Sequence, residues 1–142
     1  LGDYLEIKDC WPIAERYKTN AESLGRSFFP LEKIPTTGAG STDMGNVSHR
    51  VPSIHPMISC APPHVVIHNP EFAKYAGSET GDGAVLDGAK ALAMTAIDVM
   101  TDDQLMSDAR DQFAETADLS AKAVAQAWHG DGDVSLGGCG CC

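Results

Sequence analysis

The sequence predicts an α/β fold, and two kinds of segment predict it. Apolar residues recur at helical spacing over residues 13–24 and again over residues 84–100. Between them lie short runs rich in Val and Ile, residues 51–60 and 65–67, with the length and composition of strands. A chain of 142 residues can bury one core. Helices alternating with short strands around one core describe helices packed on a sheet.

In chain order, residues 1–8 alternate weakly, with Leu1, Tyr4, Leu5 and Ile7 set among Asp3, Glu6 and Lys8, and read as a strand. From Pro12 the period becomes helical through Ile13, Tyr17, Ala21 and Leu24. Pro12 suits the first turn and Gly25 the position just past the end. Glu15, Arg16, Lys18, Asn20 and Glu22 are assigned to its wet face. Residues 27–37 read as an extended connector with at most one short strand. Pro52 and Pro56 confine the run at 51–60 to a sheet edge or an irregular crossing, because neither can donate to a ladder. Ala61, Pro62 and Pro63 make a turn, and Asn69-Pro70-Glu71 opens a helix.

Residues 77–83 read as a loop, and residues 84–100 as the strongest helix in the chain. Val85, Ala89, Leu92, Ala93, Ala96, Ile97 and Met100 form one broad apolar face. With only Asp87, Lys90 and Asp98 charged, this helix is expected to be buried around much of its circumference. Thr101-Asp102-Asp103-Gln104 has the form of a capping box opening a last helix through Leu105, Met106, Ala109 and Phe113, and on to Ala127. After His129 the Gly, Asp and Cys residues offer nothing to pack.

Ten Lys and Arg against twenty Asp and Glu give a net charge of −10, which speaks against nucleic acid and against an anionic membrane surface as partners. No window reaches the ~18 apolar residues of a membrane span. The expectation is a soluble, cytoplasmic protein. Five cysteines, three of them at 139, 141 and 142, do not make a disulfide framework, and Cys10 and Cys60 read as free thiols. Cys139 stands fourth from the end, as in a prenylation box, but acidic residues precede it; a soft-metal site or an unstructured end are the other readings.

Two stretches carry chemistry. In the first, residues 38–48, Gly38, Gly40 and Gly45 stand with Ser41, Thr42, Asp43, Asn46 and Ser48. Such a loop can turn several N–H and hydroxyl donors toward one anion, most simply a carboxylate. The second, from His64 to Phe72, places imidazoles around a β-branched run, where a metal ligand or general base can sit. His49 and His55 read as structural, and His129 as irrelevant to chemistry.

The runs GSTDMGNVSHRVPSIHP, IHNPEFAKYAGS and DGAKALAMTAIDVM, in that order, resemble the C-terminal catalytic segment of the zinc aminoacylase/carboxypeptidase family, peptidase family M-twenty. The likeness runs from about Gly2 to Ala114, and its nearest branch is that of amidohydrolases acting on dipeptides, N-acyl amino acids and p-aminobenzoyl-glutamate. It implies a zinc-peptidase-type three-layer α/β/α catalytic domain of which this chain is an incomplete fragment, in keeping with a start at Leu1 rather than Met. On that reading residues 1–8 end a lid or dimerisation domain, 9–117 belong to the catalytic domain, and 118–142 are a helical extension with a disordered tail.

The resemblance also implies residue roles. His68, followed by Asn69-Pro70-Glu71-Phe72, corresponds to a ligand of the second of two zinc ions, with other divalent metals possible. Gly40, Ser41, Thr42 and Asn46 would contact the substrate carboxylate. Asp43, which repels a carboxylate, and His64 would support from behind. The His-x-Asp motif and the Glu-Glu pair that the family mechanism needs are missing, so no catalytic base is expected in this segment and the chain alone is expected to be inert. The implied activity is metal-dependent hydrolysis of the amide bond of a dipeptide or N-acyl amino acid, in a homodimer joined through a lid domain. The rival expectation is an inactive fragment or interaction domain; a third is a small metal-binding protein using the Cys-rich tail.

Overall fold

The computed structural model describes residues 4–29 and 42–129. Among them the architecture is all-helical, which overturns the α/β expectation. The helices are α1 (Trp11–Ser23), α2 (Met44–Ser48), α3 (Pro70–Ala76), α4 (Glu79–Thr101), α5 (Asp103–Ala114) and α6 (Ala117–His129). The segments expected as strands are extended or turning, but an extended chain becomes a strand only when another backbone runs beside it. Around residues 4–10 side chains take that place: Leu5 N–H donates to Asn46 Oδ1 at 2.8 Å and Lys8 N–H to Ser48 Oγ at 3.0 Å. One parallel bridge, Asp9 with Ser53, is the whole of the β-pairing among the described residues. Residues 65–67 are not a buried run either, since Val66 and Ile67 are exposed.

α1 forms as its sequence dictates, with Pro12 in the first turn and a left-handed Gly25 (φ 86°) after its end. Gly25 N–H donates to Glu22 C=O and Arg26 N–H to Ala21 C=O, which closes the last turn in a Schellman arrangement. Trp11 N–H, an orphan donor of the first turn, finds Gln112 Oε1 on α5 at 2.9 Å. Tyr17 and Ala21 then pack on Ala91 of α4, with Leu24 and Ile54 around them. Tyr17 also meets the Phe28 ring edge-on, at 6.3 Å between centroids. Burial pushes the Tyr17 hydroxyl and the Cys10 thiol above their usual pKa values, so Cys10 is a poor nucleophile.

α4 starts earlier than the sequence suggested, at Glu79, because Gly81 and Gly83 of the expected loop are helical. Gly81 is buried where α3 ends, and a Cβ there would strike the Ala76 and Tyr75 carbonyls, so the helix corner needs a residue without one. Nor is α4 buried around most of its circumference: Gly81, Ala84, Ala91 and Thr95 are its buried residues. Asn20, assigned from sequence to the wet face of α1, is buried and donates to Thr95 Oγ1 and Asp98 Oδ2. The final helix is two. Thr101 ends α4, Asp102 caps α5 by accepting from Gln104 and Leu105 N–H, and Gln104 reaches Asp108 instead of closing a capping box. Lys8 joins the α5–α6 corner to the N-terminal segment, donating to Ser120 Oγ and Phe113 C=O from above the Phe113 ring. No described helix is long and apolar enough to cross a membrane.

Candidate functional site

Two short segments hold the sequence-predicted site residues that the structure describes. Gly40 and Ser41 lie outside the described residues, as does the Cys-rich end. Thr42 and Asp43 stand at the entrance to α2: Thr42 Oγ1 accepts from Met44 N–H at 3.2 Å and donates to Asp43 Oδ1 at 3.1 Å. Asn46, one turn on, accepts from Leu5 N–H. The chain can lie this close only because residue 45 is glycine, since a Cβ there would run into the Leu5 carbonyl. Ser48 Oγ donates to Gly45 C=O at 2.7 Å, and the His49 ring, 6% exposed, meets Glu6 C=O through Nε2 at 3.2 Å. The described part of this loop is therefore bound into the fold by residues 5–8, with the His49 ring buried beside them.

His64 and His68 occupy the turn before α3, and both are exposed. The strand-like alternation that would place them on one face is absent, since the backbone bends through residues 67–69. His68 has φ 64°, the one positive φ outside glycine among the described residues. Left-handed backbone costs a residue with a Cβ about 1–2 kcal/mol, and such residues persist where the surroundings over-determine them. Asn69 supplies that determination. Its Nδ2 donates back to Val66 C=O at 2.6 Å and its Oδ1 accepts forward from Phe72 N–H at 2.9 Å, the cap of α3. The imidazole of His68 is thus presented to solvent by a clamped turn, with no hydrogen-bond partner among the described residues. The sequence marked Asn69 only as part of a helix entrance; an Asn directly before a helix-starting Pro, with a His before it, was the available signal for the clamp.

The described residues do not make a metal centre. No three His, Cys, Asp or Glu side chains among them come together to hold an ion. His68 fits as one neutral nitrogen donor and nothing more. Two open clefts lie elsewhere. One, of about 290 Å³, lies between α1 and α5 beside Arg16, Asp102 and Asp108; another, of about 540 Å³, lies at the α3–α4 corner beside Lys74, Tyr75 and Glu79. Neither is lined by Thr42, Asp43, Asn46, His64 or His68.

Comparison with known proteins agrees with the resemblance in the motifs. No family model matches the chain. It is 34% identical over 111 residues to the Xaa-Arg dipeptidases of Mus musculus and Homo sapiens, metallopeptidases of the M-twenty family. The match takes in 78% of this chain but 26% and 25% of those enzymes, so the chain spans about a quarter of the length of the curated relatives it matches. A span of 111 residues within 142 cannot avoid residues 32–111, so the glycine loop from Gly38 on, the His64–His68 turn and all of α4 fall inside it.

Proposed function

We propose that this chain is the C-terminal part of a metal-dependent amidohydrolase of the M-twenty family, acting on a dipeptide or N-acyl amino acid with a free carboxylate. In this reading residues 9–117 belong to the catalytic domain, and His68 gives one nitrogen to a metal whose remaining ligands lie on other parts of a complete enzyme. Gly40, Ser41, Thr42 and Asn46 serve the substrate carboxylate, with Asp43 and His64 behind them. The observation that carries the reading is His68 itself, exposed, without a hydrogen-bond partner among the described residues and held at φ 64° by Asn69. The similarity to dipeptidases across the same residues supports it.

The chain alone is inert in this reading, because a single donor holds no metal centre and the Glu-Glu pair that would supply the base is missing from the sequence. Its own residues bind and orient. A chimaera tests the proposal: the mouse Xaa-Arg dipeptidase with its matched span replaced by the residues of this chain. It should hydrolyse a Xaa-Arg dipeptide, and His68→Ala should remove one equivalent of metal and nearly all turnover. Unchanged metal content by elemental analysis with near-normal turnover in His68→Ala would defeat the assignment. The rival reading, an inactive fragment or interaction domain, predicts that the chimaera itself does not hydrolyse the dipeptide.

A further inference from the structure

The loop that carries the candidate carboxylate contacts is gripped by backbone. Leu5 N–H donates to Asn46 Oδ1 at 2.8 Å, Lys8 N–H donates to Ser48 Oγ at 3.0 Å, and His49 Nε2 stands 3.2 Å from Glu6 C=O. On the side of residues 5–8 all three contacts use the main chain, so the grip does not depend on which side chains stand there. It is also close, because Gly45 leaves room for the Leu5 carbonyl.

The first of these bonds has a chemical consequence. An Asn side chain carries an acceptor on one arm and a donor on the other, and its partners decide which arm points where. A backbone N–H can only donate, so Leu5 requires the oxygen of Asn46. The arm directed away from Leu5 is then the nitrogen, which carries two N–H groups. Thr42 is in the opposite position. Its hydroxyl has one proton, which goes to Asp43 Oδ1 at 3.1 Å, while its oxygen accepts from Met44 N–H. Of the two described residues assigned to the substrate carboxylate, Asn46 is therefore the one whose side chain brings a donor. It is half-buried beside the exposed Val47, so a ligand can reach it from solvent.

We infer that Asn46 sets the preference of this site for a carboxylate over an amide, and that the Leu5 N–H is the group that positions it. The inference rests on the hydrolase reading above, which gives the loop a carboxylate to bind. A carboxylate only accepts, and a hydrogen bond to it is charge-assisted, roughly twice as strong as one to a neutral oxygen. With its oxygen committed to Leu5, Asn46 meets that ligand as a donor, against the repulsion of Asp43. Were the amide turned the other way, the same residue would present its oxygen and favour an amide N–H instead.

The test uses Asn46→Asp, which keeps an oxygen for Leu5 N–H and takes away both donors. In the 142-residue chain at neutral pH it should melt close to the parent, whereas Asn46→Ala, which also loses the Leu5 bond, should melt several degrees lower. In the chimaera with the mouse enzyme, affinity for a Xaa-Arg dipeptide is read as KM and affinity for its C-terminal amide as a competitive Ki. Asn46→Asp should cut the preference for the acid over the amide about ten- to a hundredfold, the loss of one hydrogen bond to a charged group. Val47→Asp puts the same charge on the exposed neighbouring residue and should change that preference far less. An unchanged preference in Asn46→Asp, or an equal cut in Val47→Asp, would overturn the inference, since no positioned donor would then be at work. Asn46→Asp as unstable as Asn46→Ala would overturn the role given to Leu5. A parent chimaera that hydrolyses no dipeptide would sink the hydrolase reading and the inference with it; one that hydrolyses the dipeptide but keeps its preference in Asn46→Asp sinks the inference alone.

Discussion

Arg16 Nη2 lies 2.7 Å from Asp102 Oδ2, while Asp102 Oδ1 accepts from the N–H groups of Gln104 and Leu105 at 3.1 Å each. One carboxylate therefore caps α5 with one oxygen and ties α1 with the other. Asp98, one turn earlier on α4, stands 3.5 Å from the same guanidinium and accepts from Asn20 of α1. Three helices meet at this cluster, and it does part of the work that a larger apolar core would do.

The cluster predicts acid sensitivity. The hydrogen bond from Arg16, followed by the Leu105 N–H, holds the Asp102 carboxyl below its ordinary pKa. A carboxyl whose pKa is lower folded than unfolded stabilises fully above its unfolded value, near 3.9, and loses that contribution as pH falls through the folded value. Thermal melts from pH 7 to pH 2 should therefore show an acid loss of stability that is smaller in Asp102→Asn. Parallel curves for parent and variant would show that Asp102 carries none of it.

Gly45 and Gly83 should respond to alanine with opposite signs. A Cβ on Gly45 would strike the Leu5 carbonyl, backbone that cannot rotate aside. Gly45→Ala should cost about 1–3 kcal/mol, as overpacking does. Gly83 sits inside α4 with open space around it, and Gly83→Ala should gain up to ~1 kcal/mol from helix propensity alone. Urea unfolding of both variants checks the pair; a gain for Gly45→Ala would mean the 4–8 segment does not lie against α2.

These two glycines also show what the sequence made legible. α1 was readable because Pro12, the periodic apolar residues and Gly25 all carry local signals, and α3 because Asn69-Pro70 is a local cap. Gly81 misled, because glycine marks a loop only when nothing else requires its small size, and the crossing of Ala76 over Gly81 is a tertiary fact; Gly83, in open space, is carried by the helix around it. The strands failed for a related reason. Val and Ile runs state a preference for extended backbone, but pairing depends on a neighbour, and here Asn46 and Ser48 side chains occupy the donors of Leu5 and Lys8. The apolar face of α4 was read correctly as a face, while its direction was not, since periodicity fixes which residues share a side and not which side the rest of the chain covers. At the candidate site the place of His68, just before a helix entrance, was legible. Its left-handed backbone and its clamp by Asn69 were not, because φ is set by bonds to Val66 and Phe72.

Asn69 should matter to stability through both of its bonds. Asn69→Ala removes the α3 cap and the tie to Val66, and loss of such a cap typically costs about 0.5–2 kcal/mol. Asn69→Asp keeps the acceptor for Phe72 N–H and loses the donor to Val66 C=O, so it should fall between parent and alanine in urea unfolding. Equal stability of all three proteins would show that the turn is held by something other than Asn69.

The sharpest prediction sets stability against function at His68. If its left-handed backbone is kept for the sake of the imidazole, a residue without a Cβ should relieve the strain. The relief, about 1–2 kcal/mol, is partly offset by the ~0.5–1 kcal/mol that glycine loses in backbone entropy, so His68→Gly should stabilise the 142-residue chain by about 0.5–1 kcal/mol. The same substitution in the chimaera with the mouse dipeptidase should remove metal and hydrolysis while the melting temperature holds or rises. His68→Ala separates the two effects, because it removes the imidazole and keeps the strain. It should lose activity as completely as His68→Gly without any gain in stability. A His68→Gly chain less stable than its parent would show that the imidazole makes a stabilising contact, and that its backbone conformation is no sign of a functional role.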